Sequence, residues 1–205
     1  MLSFSKIVLP FSIFTAIVGS GITIQMPDSC RIRETSTTSI INTAHLDHLY
    51  DELRMGEDTV AYIHIYAASP DYHFVSDPDE GMACVDDASR AAIFYFLQYQ
   101  RTGTSEYFRK GKMLIKFLAH MQADNGYFYN FIRPDGKINT QGSTSKPEPN
   151  WWSWRALWAY GVAIPLLQSK KDQLAELLKL QRKNLTNSML READFQKHQV
   201  DNIEG

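Results

Sequence analysis

The stretch "CVDDASRAAIFYFLQYQRTGTSEYFRKGKMLIKFLAHMQ", residues 84 to 122, decides the fold. It opens on two acids, Asp86 and Asp87, and passes into "AAIFYFL", which is apolar around its whole circumference. That pattern predicts a helix over about residues 87 to 100 that is buried on all sides. "RTGT" follows, a connection of the length that joins neighbouring antiparallel helices. Residues 105 to 122 then interleave Arg109, Lys110, Lys112 and Lys116 with Phe108, Ile115, Leu118 and Met121, so the second helix keeps one wet face. A buried helix joined to a half-exposed one is an αα-hairpin, and the expected fold class is mainly α.

Downstream the order repeats. Turn signals at Asp124-Asn125-Gly126 and Pro134-Asp135-Gly136 flank the aromatic run Tyr127 to Phe131, which predicts a small β excursion. "WWSWRALWAYGVAIPLL" then returns to a mostly apolar helix, and Gln173 to Leu190 reads as its amphipathic partner. "SRAAIFYFL" and "WRALWAYGV" both set Arg-Ala just inside a buried helix, at Arg90 and Arg155. This weak internal repeat points to tandem helical hairpins.

Upstream, Ile41, Ala44, Leu46, Leu49 and Leu53 fall at three- and four-residue spacings, predicting an amphipathic helix over 38 to 55 that ends near Gly56. Its His45 and His48 read as structural residues. Val60 to Tyr66 has β character, and the prolines, Gly81 and acids after it predict a long structured loop. Loops of that kind tend to carry function.

Residues 1 to 26 place Lys6 before an apolar run from Ile7 to Ile24 with small residues near its end. This is the layout of a secretory signal, and the run also just suffices for an uncleaved membrane anchor. Either reading puts the domain, residues 38 to 205, outside the cytoplasm after a polar linker at 27 to 37. The chain has 205 residues, 44 % of them hydrophobic, enough for one sizeable core. A net charge of -2 with no basic patch argues against a nucleic-acid partner, because phosphate binding needs concentrated Lys and Arg. Two cysteines, Cys30 and Cys84, with no CxxC and no histidine cluster give no metal site and no cofactor. A bridge between them is permitted in an oxidising compartment and is not implied.

"EGMACVDDASRA", "HMQADNGYFYNF" and "RALWAYG", in that order, resemble motifs of the six-hairpin glycosidase superfamily, the (α/α)6 toroids. The resemblance covers about residues 45 to 165. It implies part of such a ring, because a complete one needs more hairpins than this chain supplies. It also implies a secreted or envelope carbohydrate-active protein, foremost a glycoside hydrolase. The alternatives are a non-catalytic half toroid that binds glycan or a partner, and, less favoured, a sugar epimerase or isomerase. Where the look-alikes carry Glu-Asp ahead of the "RALWALG" helix, this chain has "KPEPNWWSWRALWAYG", which fills the acidic position only approximately, with Glu148 or Asn150. An incomplete ring would also leave a flank for self-association.

In such a ring the loops before the buried helices open on one face, so the candidate catalytic residues are Asp86, Asp87 and Glu80. Glycoside hydrolysis needs two carboxylates, about 6.5 to 9.5 Å apart for inversion or about 5 to 5.5 Å for retention. The plain alternative is that Asp86 or Asp87 caps its helix. Trp151, Trp154 and Trp158, at i, i+3 and i+7, share a face with Arg155. Trp158 is expected in the core, while Trp151 and Trp152, at the mouth, are candidates for stacking on sugar rings, as are Tyr127 and Tyr129. Arg90, Arg155 and Glu148 complete the candidate substrate-binding set, the arginines alternatively forming ion pairs with loop carboxylates. His73 reads as a surface residue.

Overall fold

The computed structural model describes residues 41–203; the expected signal or anchor, the linker and Cys30 lie outside them. The described chain is mainly helical, in the order α1 (Ala44–Leu49), β1 (Tyr50–Met55), β2 (Asp58–Ile63), β3 (Tyr66–Ala68), β4 (His73–Val75), β5 (Ala83–Cys84), α2 (Val85–Thr102), α3 (Ser105–Met121), β6 (Phe131–Ile132), α4 (Trp151–Ser169) and α5 (Leu174–Ile203).

The helix expected over 38 to 55 is shorter than its spacing suggested. Only α1 is helical; from Tyr50 the chain turns into β1, which pairs antiparallel with β2 from Tyr50 opposite Ile63 to Met55 opposite Asp58. The pair closes on the two-residue loop Gly56-Glu57, where Gly56 takes φ +61, the positive angle a tight hairpin needs at its first loop position. Leu46, Leu49 and Leu53 satisfy a helical spacing, but Leu53 and Met55 also alternate inward in a strand. The β-branched and aromatic "TVAYI" beside them supplies a buried partner and decides the outcome. A bridge from His64 to Ala83, the β5 to β6 pair and a bridge from Ile132 to Ile138 carry short strand pairing on from this hairpin. The β3 to β4 ribbon stands apart.

The two predicted hairpins are present. α2 packs on α3 across the Gly103 turn, α4 packs on α5, and α2 lies against α4. Gly103 takes φ +71 and donates its N–H to the Tyr99 carbonyl, the usual left-handed helix stop. One shared core joins Val60, Ala61, Phe96, Leu114, Phe117, Leu118, Phe128, Trp152, Tyr160 and Leu167. The second hairpin is tied to the first by polar bonds in the same core. Tyr160 donates to Gln181 Oε1 at 2.8 Å, and Gln181 Nε2 donates to the Ala119 carbonyl at 2.8 Å.

α2 is less enclosed than its composition predicts. Leu97 is 50 % exposed and Arg90 lies at the surface, so among the described residues one stripe of α2 is left uncovered. α4 shows the same property more strongly. Its buried stripe, Trp152, Ala156, Ala159, Ala163 and Leu167, is rich in alanine, which lets the helix approach its neighbours closely, while Trp151, Trp154, Trp158, Gly161 and Pro165 face out.

Candidate functional site

The site begins at the N-cap of α2. Cys84 sits in extended backbone, and its Sγ accepts from the Asp87 N–H at 3.4 Å while the thiol donates to Asp87 Oδ2 at 3.3 Å. This is a capping arrangement with sulfur in the usual hydroxyl place. Burial, reinforced by the Asp87 charge, pushes the Cys84 thiol well above its ordinary value. Cys84 carries a free thiol.

Asp86 and Asp87 are held by arginines. Arg90 Nη2 donates to Asp86 Oδ2 at 2.9 Å and to Asp87 Oδ1. Arg155 Nε lies 3.2 Å from Asp86 Oδ1, a charge contact out of line for a hydrogen bond, since that buried oxygen has no hydrogen-bond partner among the described residues. The two arginines of the sequence repeat therefore converge on one carboxylate. Asp86 stands at the second position of α2 and Arg155 at the fifth of α4, so the two helix starts lie together.

The other acids are elsewhere. Glu80 accepts from the Tyr66 hydroxyl at 2.9 Å, and its carbonyl accepts from Asn139 Nδ2. Glu148 is exposed on the loop ahead of α4, and its carboxylate has no partner among the described residues. The structure thus brings together Asp86, Asp87, Arg90 and Arg155, and gives Glu80 a separate hydroxyl partner.

The aromatic candidates divide differently from expectation. Trp152 is 1 % exposed, with its Nε1–H donating to the Phe128 carbonyl at 2.7 Å, so it is a core residue and no stacking platform. Tyr127 is also buried, 7 % exposed, which removes its ring from a sugar-facing position; its hydroxyl has no hydrogen-bond partner among the described residues. Tyr129 is half-buried. Trp158, expected in the core, is instead 58 % exposed, beside Trp151 at 55 % and Trp154 at 45 %. Adjacent helix positions differ by about 100°, so burying Trp152 turns Trp151, Trp154 and Trp158 outward as one stripe.

Sequence reading missed His64. It is 7 % exposed, stacked on Phe74 with ring centroids 3.7 Å apart, and its Nε2 lies 3.3 Å from Asp51 Oδ2. Burial works to raise the Asp51 carboxyl, but the Glu52 N–H, His64 and the Tyr62 hydroxyl outweigh it and hold the group below its ordinary value. His64, Asp87 and Arg90 line a cleft of about 370 Å³ whose other walls come from α1, Ile63, Ile65 and the Ala91 to Phe94 turn of α2. The place of His64 just beyond the wholly buried end of β2, in the run of β character from Val60 to Tyr66, was the available signal.

A larger hollow, about 480 Å³, lies on the α3 and α5 side, away from these groups. Its charges are paired: Lys116 and His120 bond Asp58, and Lys112 bonds Asp172. Lys116 and His120 hold the Asp58 carboxyl below its ordinary value. Burial would raise Asp172, but Lys112 and the Leu174 N–H outweigh it and lower that group too. Among the described residues no three His, Cys, Asp or Glu side chains are grouped to hold a metal ion, and no helix is long and apolar enough to cross a membrane. No protein-family model and no curated protein matches the chain.

Proposed function

We propose that this chain is a glycan-binding protein built as a segment of an (α/α)6 toroid, and that it works outside the cytoplasm. The observation that carries the reading is the stripe of Trp151, Trp154 and Trp158, each about half exposed, running from the end of α4 where Asp86 and Arg155 meet. Exposed tryptophans in a row are costly to leave in water and offer flat faces to the apolar sides of sugar rings. At 1.5 Å rise per residue they stand about 4.5 and 6 Å apart along the axis, the order of one saccharide unit. Arg155 and the Arg90 to Asp87 pair lie at the same end to bond ring hydroxyls.

Glycoside hydrolysis is the less favoured use of this surface. It needs two available carboxylates, and the oxygens of Asp86 and Asp87 are engaged by Arg90, Arg155 and the Cys84 thiol. One observation speaks for it: Asp86 Oδ1, buried beside Arg155, has no aligned hydrogen bond among the described residues. Self-association of two copies would use the same tryptophans.

The test is retention on a panel of soluble neutral and acidic polysaccharides in affinity electrophoresis. Trp154→Ala and Trp158→Ala should lose the retention while leaving the protein folded. Absence of retention on every polysaccharide, together with a dimer that Trp154→Ala dissociates, would replace glycan binding by self-association. Release of reducing ends, abolished in both Asp86→Asn and Asp87→Asn, would restore the hydrolase.

A further inference from the structure

We infer that Asn184, on the wet face of α5, is the acceptor of an N-linked oligosaccharide. Asn184-Leu185-Thr186 is the one place in the chain where an asparagine is followed, two residues on, by serine or threonine. With a residue other than proline between, that triplet is the acceptor signal of proteins that enter a secretory pathway. Its use depends on the chain leaving the cytosol, the reading already proposed, and not on the tryptophan stripe or any sugar bound there.

The fold leaves this asparagine open. α5 buries Leu178, Leu185 and Ser188, while Asn184, Asn187 and Arg191, at i, i+3 and i+7, lie exposed along one face. The Asn184 amide has no hydrogen-bond partner among the described residues, so replacing one of its hydrogens by a sugar breaks no contact. Other asparagines differ: Asn125 donates its amide to the Pro147 carbonyl at 2.8 Å, and Asn130 and Asn139 are buried. Leu180, 57 % exposed, stands one turn before Asn184 at i−4, where a sugar chain would cover it.

A second feature lies beside the amide. A hollow of about 170 Å³ is lined only by polar residues, Asp124, Asn125, Asn184, Asn187, Ser188 and Arg191. It is smaller than the pockets that hold free ligands, about 300 to 1,000 Å³, but a ring tethered through Asn184 needs no such enclosure. The Asp124 carboxylate and the Asn187 amide have no partner among the described residues, and they line the hollow as acceptor and donor for the hydroxyls and acetamide of a first N-acetylhexosamine. In the transfer itself, Asn184 Nδ2 forms a bond to C1 of that sugar and gives up one hydrogen as a proton. The bond that breaks joins C1 to a lipid diphosphate, which leaves with the electron pair, and nothing is oxidised or reduced. In α5 the Thr186 hydroxyl is turned back to the Arg182 carbonyl at 2.9 Å, so a transferase reads the triplet before that helix closes.

The experiment is translation of the full chain with endoplasmic-reticulum microsomes, scored by gel mobility before and after peptide N-glycosidase and by protection from added protease. The protected chain should show a single upward step in apparent mass that the glycosidase removes, leaving aspartate at position 184 in the peptide map. Asn184→Gln and Thr186→Ala should each lose the step completely, Thr186→Ser should keep it, and Asn187→Gln should leave it unchanged. Because the triplet is read on the entering chain, a folding defect in a variant does not mimic the loss. A protected chain without the step, or a step that survives Asn184→Gln, would overturn the inference and leave the extracytoplasmic reading standing. A chain that the protease degrades outside the microsomes would overturn both.

Discussion

Trp152 and its exposed neighbours give the sharpest contrast in the molecule. Trp152 is 1 % exposed and donates its indole N–H to the Phe128 carbonyl at 2.7 Å, whereas Trp154, two residues on, is 45 % exposed. Truncating a buried tryptophan to alanine costs about 3 to 5 kcal/mol through lost burial and the cavity left behind. Depriving a buried carbonyl of its donor adds about 1 to 3 kcal/mol. The sum is comparable with the whole stability of a domain, about 5 to 15 kcal/mol, so Trp152→Ala should be largely unfolded. Trp152→Phe is the measurable variant. It keeps most of the ring and loses the hydrogen bond, for a cost of about 2 kcal/mol. In urea, followed by far-ultraviolet circular dichroism, that is a fall in midpoint of about 1 M at a slope of about 2 kcal/mol per molar. Trp154→Ala, at an exposed position, should shift stability by no more than about 0.5 to 1 kcal/mol. A Trp152→Phe protein as stable as the parent, with Trp154→Ala the more damaged of the two, would refute the division of the tryptophans.

Three further outcomes follow from named contacts. The Cys84 thiol, buried and pushed up by burial, should resist iodoacetamide in the native protein at neutral pH and react on unfolding, read at its own peptide by mass spectrometry. Gly81→Ala should be far more damaging than Gly56→Ala in thermal unfolding. A Cβ at Gly81 would stand 2.0 Å from the Ile132 carbonyl oxygen, while one at Gly56 meets nothing within 4 Å and bears only the cost of its positive φ, about 1 kcal/mol. Asp51 and Asp172 both have lowered folded-state values, so their stabilisation is present above the ordinary 3.8 and is lost as pH falls through and below it. Asp172→Asn should therefore flatten the loss of thermal stability between about pH 5 and pH 3, and an unchanged slope would count against the Lys112 pairing.

The hairpins were legible because their signals are local. The Gly103 turn, the lysine-rich face of α3 and the apolar run of α2 each need only a few consecutive residues to be read. The Arg90 and Arg155 repeat was also legible, and the structure gives it a shared target in Asp86. What escaped depends on partners distant in sequence. Leu53 continues the helical spacing of Leu46 and Leu49 and equally suits a strand with Met55, and only pairing with β2 chooses. Trp151 and Trp152 are chemically identical, and which one is buried is set by the alanine stripe at 156, 159 and 163 seating against its neighbours. That stripe was visible, and it would have turned Trp154 and Trp158 outward. His64 was missed because a single histidine in a strand acquires meaning only when Asp51, Phe74 and Arg90 arrive around it.

The most direct test of the central claim is polysaccharide retention measured on the parent chain and on the combined Trp151→Ala, Trp154→Ala, Trp158→Ala variant, both checked for native circular dichroism. The account predicts that the parent is retarded by at least one polysaccharide and that the folded triple variant migrates as it does without polysaccharide. Retention that persists undiminished in the folded triple variant would contradict it.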